Sequence, residues 1–299
     1  MTEPRHRGRH PDLGAAAGRG RVHDLVLRVA SAVVLAPLAI AIAFLGGWWF
    51  FVLCAIGAAG ILWEWAHLVA ARAEPRIFGP GWAALLAALL LTGLGQPAAA
   101  ATAILAGTAL SGAILLGWRR PDQAAWAAGA WGAGGVIYAG AAFIGPALLR
   151  RDPELGFTAL LFLFATVWTT DVFAFFCGRV IGGPRLWRGV SPNKTWAGAI
   201  GGLAGGLAAG AAVAYASGVG RLAVLGTMGL VLSVLAQAGD LFESAIKRHF
   251  GVKDAGWLIP GHGGLMDRLD GFLVAAFAAL LIGILRQGTD APARGLLIW

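Results

Sequence analysis

The sequence predicts an all-α integral membrane protein that crosses the bilayer about nine times. Of its 299 residues, 58% are apolar and only 13% are charged. A soluble domain of this length would need more polar surface to cover its core. The apolar residues also form long runs, and a run of about 17 residues or more is long enough to cross a bilayer as a helix. These observations exclude the soluble fold classes.

Nine apolar runs follow one another along the chain, separated by short polar or Gly/Pro segments. We place the membrane helices at residues 28–46, 47–68, 79–95, 97–117, 124–148, 156–178, 196–216, 222–240 and 270–287. The chain therefore divides into a region of N-terminal membrane helices, residues 25–155, and a C-terminal membrane region, residues 156–299. The C-terminal region carries most of the polar motifs, so we expect it to be catalytic.

Residues 1–24 precede the first run and are basic, with five arginines and three histidines among Gly, Pro and Ala. This composition predicts a disordered cytoplasmic tail that contacts anionic lipid. A nucleic-acid-binding arm would need a folded nucleic-acid-binding domain beside it, and the sequence predicts none. We therefore expect no nucleic-acid partner.

The distribution of Lys and Arg predicts the orientation of the helices. If the N-terminus is cytoplasmic, 18 of the 23 Lys and Arg residues fall in segments on the inner side. The other five are Arg150, Arg151, Arg221, Arg286 and Arg294. Because cytoplasmic loops carry an excess of Lys and Arg, we predict a multi-pass protein of the cell (plasma or inner) membrane, with its N-terminus inside and its C-terminus outside. The polar loops 178–196 and 240–270 then face the cytoplasm.

The stretch 240–271 concentrates charge between two apolar runs, with five of the fifteen acidic and four of the 23 basic residues of the chain. Helical spacing of i, i+3, i+7 and i+10 places one polar stripe at the end of the eighth helix. This stripe consists of Gln237, Asp240, Ser244 and Lys247. Asp267 and Asp270 share a face at the start of the ninth helix. Carboxylates on two helix ends with cations between them suit a metal-bound polyphosphate, because Mg²⁺ takes carboxylate and phosphate oxygens and the cations neutralise the remaining charge.

The same stretch resembles the signature of phosphatidate cytidylyltransferases, also called CDP-diglyceride synthetases. The matching residues are Ser244-Ala-Ile-Lys247-Arg248, Lys253-Asp254-Ala-Gly256 and Pro260-Gly-His262-Gly263-Gly264-Leu-Met-Asp267-Arg268-Leu-Asp270. A second run is similar to another loop of that family and reads Ser191-Pro-Asn-Lys194-Thr195-Trp196. The chain departs from the family pattern at Ala197, where the family usually carries Glu.

The resemblance implies an enzyme of phospholipid biosynthesis that makes CDP-diacylglycerol and pyrophosphate from CTP and phosphatidate, and it implies a homodimer. The expected metal ligands are Asp240, Asp267 and Asp270, which would hold Mg²⁺ together with a second cation such as K⁺. These aspartates, Lys247 and His262 form the expected catalytic set. The expected substrate-binding residues are Asp171, Ser191, Asn193, Lys194, Thr195, Ser244, Arg248, Lys253, Asp254 and Arg268.

Several of these residues also have purely structural explanations. Asp171 lies inside the sixth apolar run, where a charge costs about 2.5–3.5 kcal/mol, so it either serves the site or hydrogen-bonds to a neighbouring helix. His262 either contacts phosphate or acts as an acid or base, or it makes an ordinary structural hydrogen bond. The basic residues of the loop 178–196 either cover phosphates or only follow the bias of cytoplasmic loops. Glu64, which lies between two tryptophans near the end of the second run, is interpreted as an interfacial residue.

Two other functions remain consistent with the sequence. A CTP-dependent lipid kinase of related architecture would release CDP rather than pyrophosphate, so product analysis separates it from the cytidylyltransferase. A membrane transporter would also place carboxylates in the membrane and use broken helices, but it would not need so many cations beside paired aspartates. Incorporation of labelled CTP into lipid separates the transporter from both enzymes.

Overall fold

A computed structural model describes residues 34, 36–69, 75–118, 123–256, 258 and 263–299. The described part contains the helices α1 (Ala36–Leu45), α2 (Gly47–Val69), α3 (Gly79–Gly93), α4 (Pro97–Trp118), α5 (Gln123–Arg150), α6 (Gly156–Val180), α7 (Trp196–Ser217), α8 (Leu222–His249), α9 (Met266–Gln287) and α10 (Pro292–Leu297). A 3₁₀ turn, Pro75–Phe78, precedes α3. An antiparallel hairpin joins α6 to α7, and its strands are β1 (Arg185–Trp187) and β2 (Ser191–Thr195).

Eight of the described helices, α2 to α9, are long and apolar enough to cross a membrane. They coincide with the second to ninth apolar runs of the sequence. Within the first predicted run, 28–46, the described residues form the short helix α1. The predicted tail, residues 1–24, lies outside the described residues. The predicted all-α membrane fold with about nine membrane helices is confirmed.

The two helices that flank the polar stretch are longer than the apolar runs that predict them. α8 continues past Asp240 to His249, and α9 begins at Met266 rather than at residue 270. The extension of α8 contains an ion pair one turn apart, between Glu243 and Lys247, and such i, i+4 pairs favour helix. The polar side chains at the end of α8 are therefore held on a regular helix.

Small residues let α6, α7 and α8 approach one another closely. A Cβ atom added to Gly198 of α7 would lie 2.8 Å from the carbonyl oxygen of Ala174 in α6. On another face of α7, a Cβ atom on Gly206 would lie 2.9 Å from the carbonyl oxygen of Gly229 in α8. Close packing of this kind is a main source of helix association in lipid, where the hydrophobic effect does not drive helices together. The glycines thus set the spacing between the helices that carry the polar residues.

The N-terminal and C-terminal regions share one hydrophobic core. The buried cluster contains residues from α2 to α5 as well as from α6, α8 and α9. α5 packs so closely on α9 that a Cβ atom on Gly145 would lie 3.0 Å from the backbone nitrogen of Phe277. α2 is joined to α5 by a hydrogen bond of 2.9 Å from Nε1 of Trp65 to the carbonyl oxygen of Trp131. α9 therefore packs directly against the N-terminal helices.

An ion-pair cluster holds α10 at the end of α6 opposite the hairpin. Arg294 of α10 contacts the carboxylates of Asp152 at 2.9 Å and Glu154 at 2.7 Å, in the turn before α6. Asp152 also accepts hydrogen bonds from the backbone N–H groups of Leu155 and Glu154. Partial burial opposes the ionisation of Asp152, but these hydrogen bonds and Arg294 together hold its pKa below the ordinary value.

Candidate active site

Four membrane helices and the hairpin bring their polar residues together at one end of the bundle. α6 and α8 end there, and α7 and α9 begin there. Thr195 is the N-cap of α7, because its Oγ1 accepts a hydrogen bond of 3.1 Å from the N–H of Gly198. This cap fixes the backbone beside Lys194. Thr195 therefore has a structural role, whether or not it also contacts substrate.

The first polar group, which we call the three-aspartate cluster, consists of Asp171 of α6, Asp240 of α8 and Asp270 of α9, together with Lys194 of the hairpin. Lys194 forms an ion pair with Asp240. Asp171 and Asp270 interact electrostatically with each other, with Asp240 and with Lys194. Three carboxylates thus share one lysine, so the cluster carries an excess of negative charge.

The second polar group, which we call the Lys247 triad, consists of Glu243 and Lys247 of α8 and Asp267 of α9. Nζ of Lys247 lies 2.8 Å from Oε2 of Glu243 and 2.5 Å from Oδ1 of Asp267. Oδ2 of Asp267 accepts hydrogen bonds from the backbone N–H groups of Ala255 and Gly264, both at 3.0 Å. Both carboxylate oxygens of Asp267 are therefore engaged by the protein itself.

The three aspartates that were predicted to hold Mg²⁺ have different partners in the structure. Asp240 and Asp270 belong to the three-aspartate cluster, whereas Asp267 belongs to the Lys247 triad. Within the described ranges, no group of three or more His, Cys, Asp or Glu side chains is arranged so that it could hold a metal ion. The residue types of the three-aspartate cluster suit a hard cation, because Mg²⁺ takes carboxylate oxygens and adjacent carboxylates repel one another without a cation. The three side chains would have to move closer together to bind one cation. Asp171, which interacts electrostatically with Asp240 and Asp270, is therefore a further candidate ligand beside the predicted three.

The predicted substrate-binding residues of the hairpin lie beside the three-aspartate cluster. Ser191 and Asn193 belong to β2, and the carbonyl oxygen of Asn193 accepts a hydrogen bond of 3.1 Å from Arg185 of β1. Ser244 is one turn beyond Asp240 on α8, and its hydroxyl lies 3.5 Å from the carboxylate of that residue. The hairpin and the end of α8 thus form one continuous polar surface.

The other predicted residues that the structure describes lie at the end of α8, in the segment after it and on α9. Arg248 links α8 to the hairpin through a hydrogen bond of 3.4 Å from its Nε to the carbonyl oxygen of Val190. Three of the predicted residues are exposed, namely Lys253, Asp254 and Arg268. The predicted catalytic residue His262 lies outside the described residues.

Two buried glutamates are missing from the predicted set. Glu243 is 1% exposed and contacts Lys247. Glu64 of α2 is fully buried within the protein, and it accepts hydrogen bonds from the N–H groups of Leu265 and Met266. The sequence signal for Glu64 is a carboxylate in an apolar helix, but no local pattern points to a partner 201 residues away.

An apolar cavity of about 530 Å³ lies between α2, α5, α8 and α9. Its lining includes Trp65, Trp131, Tyr138, Phe242, Val274 and Phe277. The lining residue Phe242 lies two residues beyond Asp240 on α8, and Leu273 lies one turn beyond Asp270 on α9, so the cavity adjoins the three-aspartate cluster. An apolar space beside a charged cluster suits a ligand that has a polar head and a hydrocarbon tail.

The chain is similar to known proteins along most of its length. A family model described as the cytidylyltransferase family matches residues 26–285. The phosphatidate cytidylyltransferase of Brucella suis biovar 1 (strain 1330) is 40% identical over 274 residues, which are 90% of this chain and 97% of that protein. That of Brucella abortus biovar 1 (strain 9-941) is 41% identical over 272 residues, 89% of this chain and 96% of that protein. That of Staphylococcus aureus (strain COL) is 41% identical over 151 residues, 50% of this chain and 56% of that protein.

Proposed function

The chain belongs to the cytidylyltransferase family, and we propose that its reaction takes place at the three-aspartate cluster. As a phosphatidate cytidylyltransferase, the protein makes CDP-diacylglycerol and pyrophosphate from CTP and phosphatidate. The observation that carries the proposal is the position of the cluster, in contact with the cationic hairpin and next to the apolar cavity. A nucleotide can approach from the polar side, while a lipid approaches with its tails in the membrane.

The proposed reaction depends on positioning and charge neutralisation more than on a strong base. The second pKa of a phosphomonoester is about 6, so phosphatidate carries an anionic, nucleophilic oxygen at neutral pH. This oxygen attacks the α-phosphorus of CTP in line and forms a new P–O bond. The bond from the α-phosphorus to the bridging oxygen breaks, and the departing pyrophosphate takes its electron pair. No covalent enzyme intermediate forms.

The negative excess of the cluster supports a metal-assisted reaction. Asp171, Asp240 and Asp270 would hold Mg²⁺, together with a second cation such as K⁺, and such cations neutralise charge on the reacting phosphates when bound. Asp267 has a different task in this scheme. Its ion pair with Lys247 ties the first turn of α9 to α8, which positions Asp270 one turn further along.

The cationic side chains around the cluster would bind the triphosphate. Lys194 reaches the cluster through its ion pair with Asp240, and Arg185 lies on the same hairpin. Arg248 connects the end of α8 to that hairpin, and Lys253 follows in the exposed segment after α8. Lys and Arg both neutralise phosphate charge, and Arg adds bidentate hydrogen bonds.

The proposal also includes the setting of the site, a homodimer in the cell membrane with its N-terminus and active site on the cytoplasmic side. The excess of Lys and Arg in the inner segments supports this orientation, and CTP is available on that side. The family resemblance supports the homodimer.

The test is turnover by the purified protein with phosphatidate, labelled CTP and Mg²⁺, with CDP-diacylglycerol and pyrophosphate both measured. We expect the two products in equal amounts. Asp240→Asn and Asp270→Asn should each lower turnover by roughly a thousandfold, because a charge contact worth about 4 kcal/mol in the transition state is lost. Glu154→Gln is the matched control, since it neutralises a carboxylate that is 72% exposed at the opposite end of α6.

Each alternative has its own signature in this assay. Release of CDP in place of pyrophosphate would identify a lipid kinase. Full activity of well-folded Asp240→Asn and Asp270→Asn proteins would remove the three-aspartate cluster from the reaction. Titration with Mg²⁺ tests whether Asp171 or Asp267 holds the metal together with Asp240 and Asp270. Asp171→Asn should raise the Mg²⁺ concentration needed for half-maximal rate, whereas Asp267→Asn should not.

A further inference from the structure

Glu64 of α2 brings a buried carboxylate to the first turn of α9. Its side chain is 0% exposed. Its Oε1 and Oε2 accept hydrogen bonds from the backbone N–H groups of Leu265 at 2.8 Å and Met266 at 2.7 Å. α9 begins at Met266, and the side chain of its own N-cap residue, Leu265, makes no capping hydrogen bond. Because the first N–H groups of a helix lack partners within that helix, Glu64 supplies from α2 what a capping side chain normally supplies.

The charge of Glu64 suits this position. The N-terminus of a helix carries a partial positive charge, which stabilises an anion placed there. Hydrogen bonds from N–H groups to a carboxylate are charge-assisted and stronger than those between neutral groups. A buried carboxylate without such partners would be costly. The burial of Glu64 and the start of α9 therefore depend on each other.

Two glycines make room for this contact. A Cβ atom on Gly256 would lie 2.5 Å from Oε1 of Glu64, and one on Gly264 would lie 2.9 Å from Oε2. The same Cβ atom on Gly264 would lie 2.8 Å from Oδ2 of Asp267. Neither glycine has a positive φ angle. The close approach of the two carboxylates, rather than a left-handed backbone, therefore explains why these motif positions carry glycine.

We propose that Glu64 is a positioning residue of the transfer reaction: it orients the first turn of α9 and, through it, Asp267 and Asp270. α2 is joined to α5 by the hydrogen bond from Trp65 to Trp131, so the N-terminal helices supply a fixed reference for the start of α9. A tilt at the start of α9 would move both aspartates, because Asp267 lies on the first turn of this helix and Asp270 on the second. The inference rests on the proposed role of Asp270 in the three-aspartate cluster.

Two substitutions in the full-length protein test the contact from its two sides. Glu64→Gln keeps the size of the side chain but removes its charge and turns an NH₂ group towards a backbone N–H. Gly256→Ala leaves Glu64 intact but fills the space that it occupies. Thr92→Val is the matched control, because it also removes a buried polar group from the N-terminal helices, but the hydroxyl of Thr92 makes no hydrogen bond to α9.

Both test variants should lower kcat by about 100-fold, the loss expected when a reacting group is displaced by about 1 Å. The KM for CTP should change little, since the phosphate-binding cations are intact. Hydrogen exchange, followed by mass spectrometry on a peptide that includes Leu265 and Met266, should become faster in both variants. The control should match the wild type in kcat and in exchange.

Unchanged exchange in Glu64→Gln would overturn the proposal, because the first turn of α9 would then not depend on the carboxylate. Faster exchange with an unchanged kcat would also overturn it, since Glu64 would then serve stability alone. If Glu64→Gln fails to fold, Gly256→Ala decides the question by the same two measurements. Full activity of Asp270→Asn would instead defeat the proposed function, and the exchange experiment would still report whether Glu64 holds the helix.

Discussion

Replacement of Lys247 by alanine should destabilise the protein rather than only weaken nucleotide binding. Nζ of Lys247 lies 2.8 Å from Glu243 and 2.5 Å from Asp267, and the three side chains are 13%, 1% and 12% exposed, respectively. Water therefore screens these charges little. Without the lysine, two carboxylates would remain close together with no counter-charge between them.

The size of the effect follows from this geometry. Nζ of Lys247 lies 2.5 Å from Asp267 and 2.8 Å from Glu243. At an effective dielectric constant of about 20, each of these two ion pairs contributes an attraction of about 6 kcal/mol. Desolvation of the ions offsets much of that attraction. Removal of one partner from a buried ion pair costs about 3–5 kcal/mol. We expect Lys247→Ala to lower the free energy of unfolding by this amount, which is a large fraction of the stability of a typical protein.

Unfolding by heat or SDS in detergent micelles, followed by circular dichroism, measures the loss. The double variant Lys247→Ala/Glu243→Gln should recover part of it, because one negative charge leaves together with the positive one. Lys253→Ala is the control: it removes the same charge from an exposed position and should change stability by less than about 0.5 kcal/mol. A Lys247→Ala protein as stable as Lys253→Ala would refute the ion-pair argument. If that equally stable protein also had a raised KM for CTP, Lys247 would be a phosphate ligand.

Two further predictions concern the opposite end of the bundle and the orientation of the chain. Because the folded pKa of Asp152 lies below its ordinary value, this residue contributes stability that is present above about pH 4 and is lost as the pH falls through the folded pKa. Thermal unfolding between about pH 6 and about pH 3 should accordingly depend less on pH in Asp152→Asn than in the wild type, and equal slopes would contradict this. In a protein without Cys54 and Cys177, single cysteines at positions 188 and 253 should be shielded from an impermeant thiol reagent in whole cells, and one at position 290 should react. Labelling of position 188 or 253 from outside would reverse the proposed orientation.

The membrane architecture was predictable because it depends on local properties of the chain. An apolar run long enough to span a bilayer has few stable forms in lipid other than a helix, and α2 to α9 coincide with the predicted runs. The family was also accessible, because its motif consists of particular residue types at fixed spacing, and the relatives of the chain confirm it. The bound cations, the homodimer and the side of the membrane that the site faces stay predictions.

The sequence by itself determined which charged residues enter the membrane region, but only the tertiary structure decided which of them meet. The spacing on α9 places Asp267 and Asp270 on one face of that helix. The packing of α8 against α9 brings Lys247 into an ion pair with Asp267, and the packing of α6 brings Asp171 near Asp270. Periodicity assigns a residue to a face of its helix and carries no information about the helix that packs on that face. Glu64 shows the limit most clearly: its partners lie about 200 residues further along the chain. The association of α2 with α9 results from the packing of the whole bundle, and no local pattern in either helix records it.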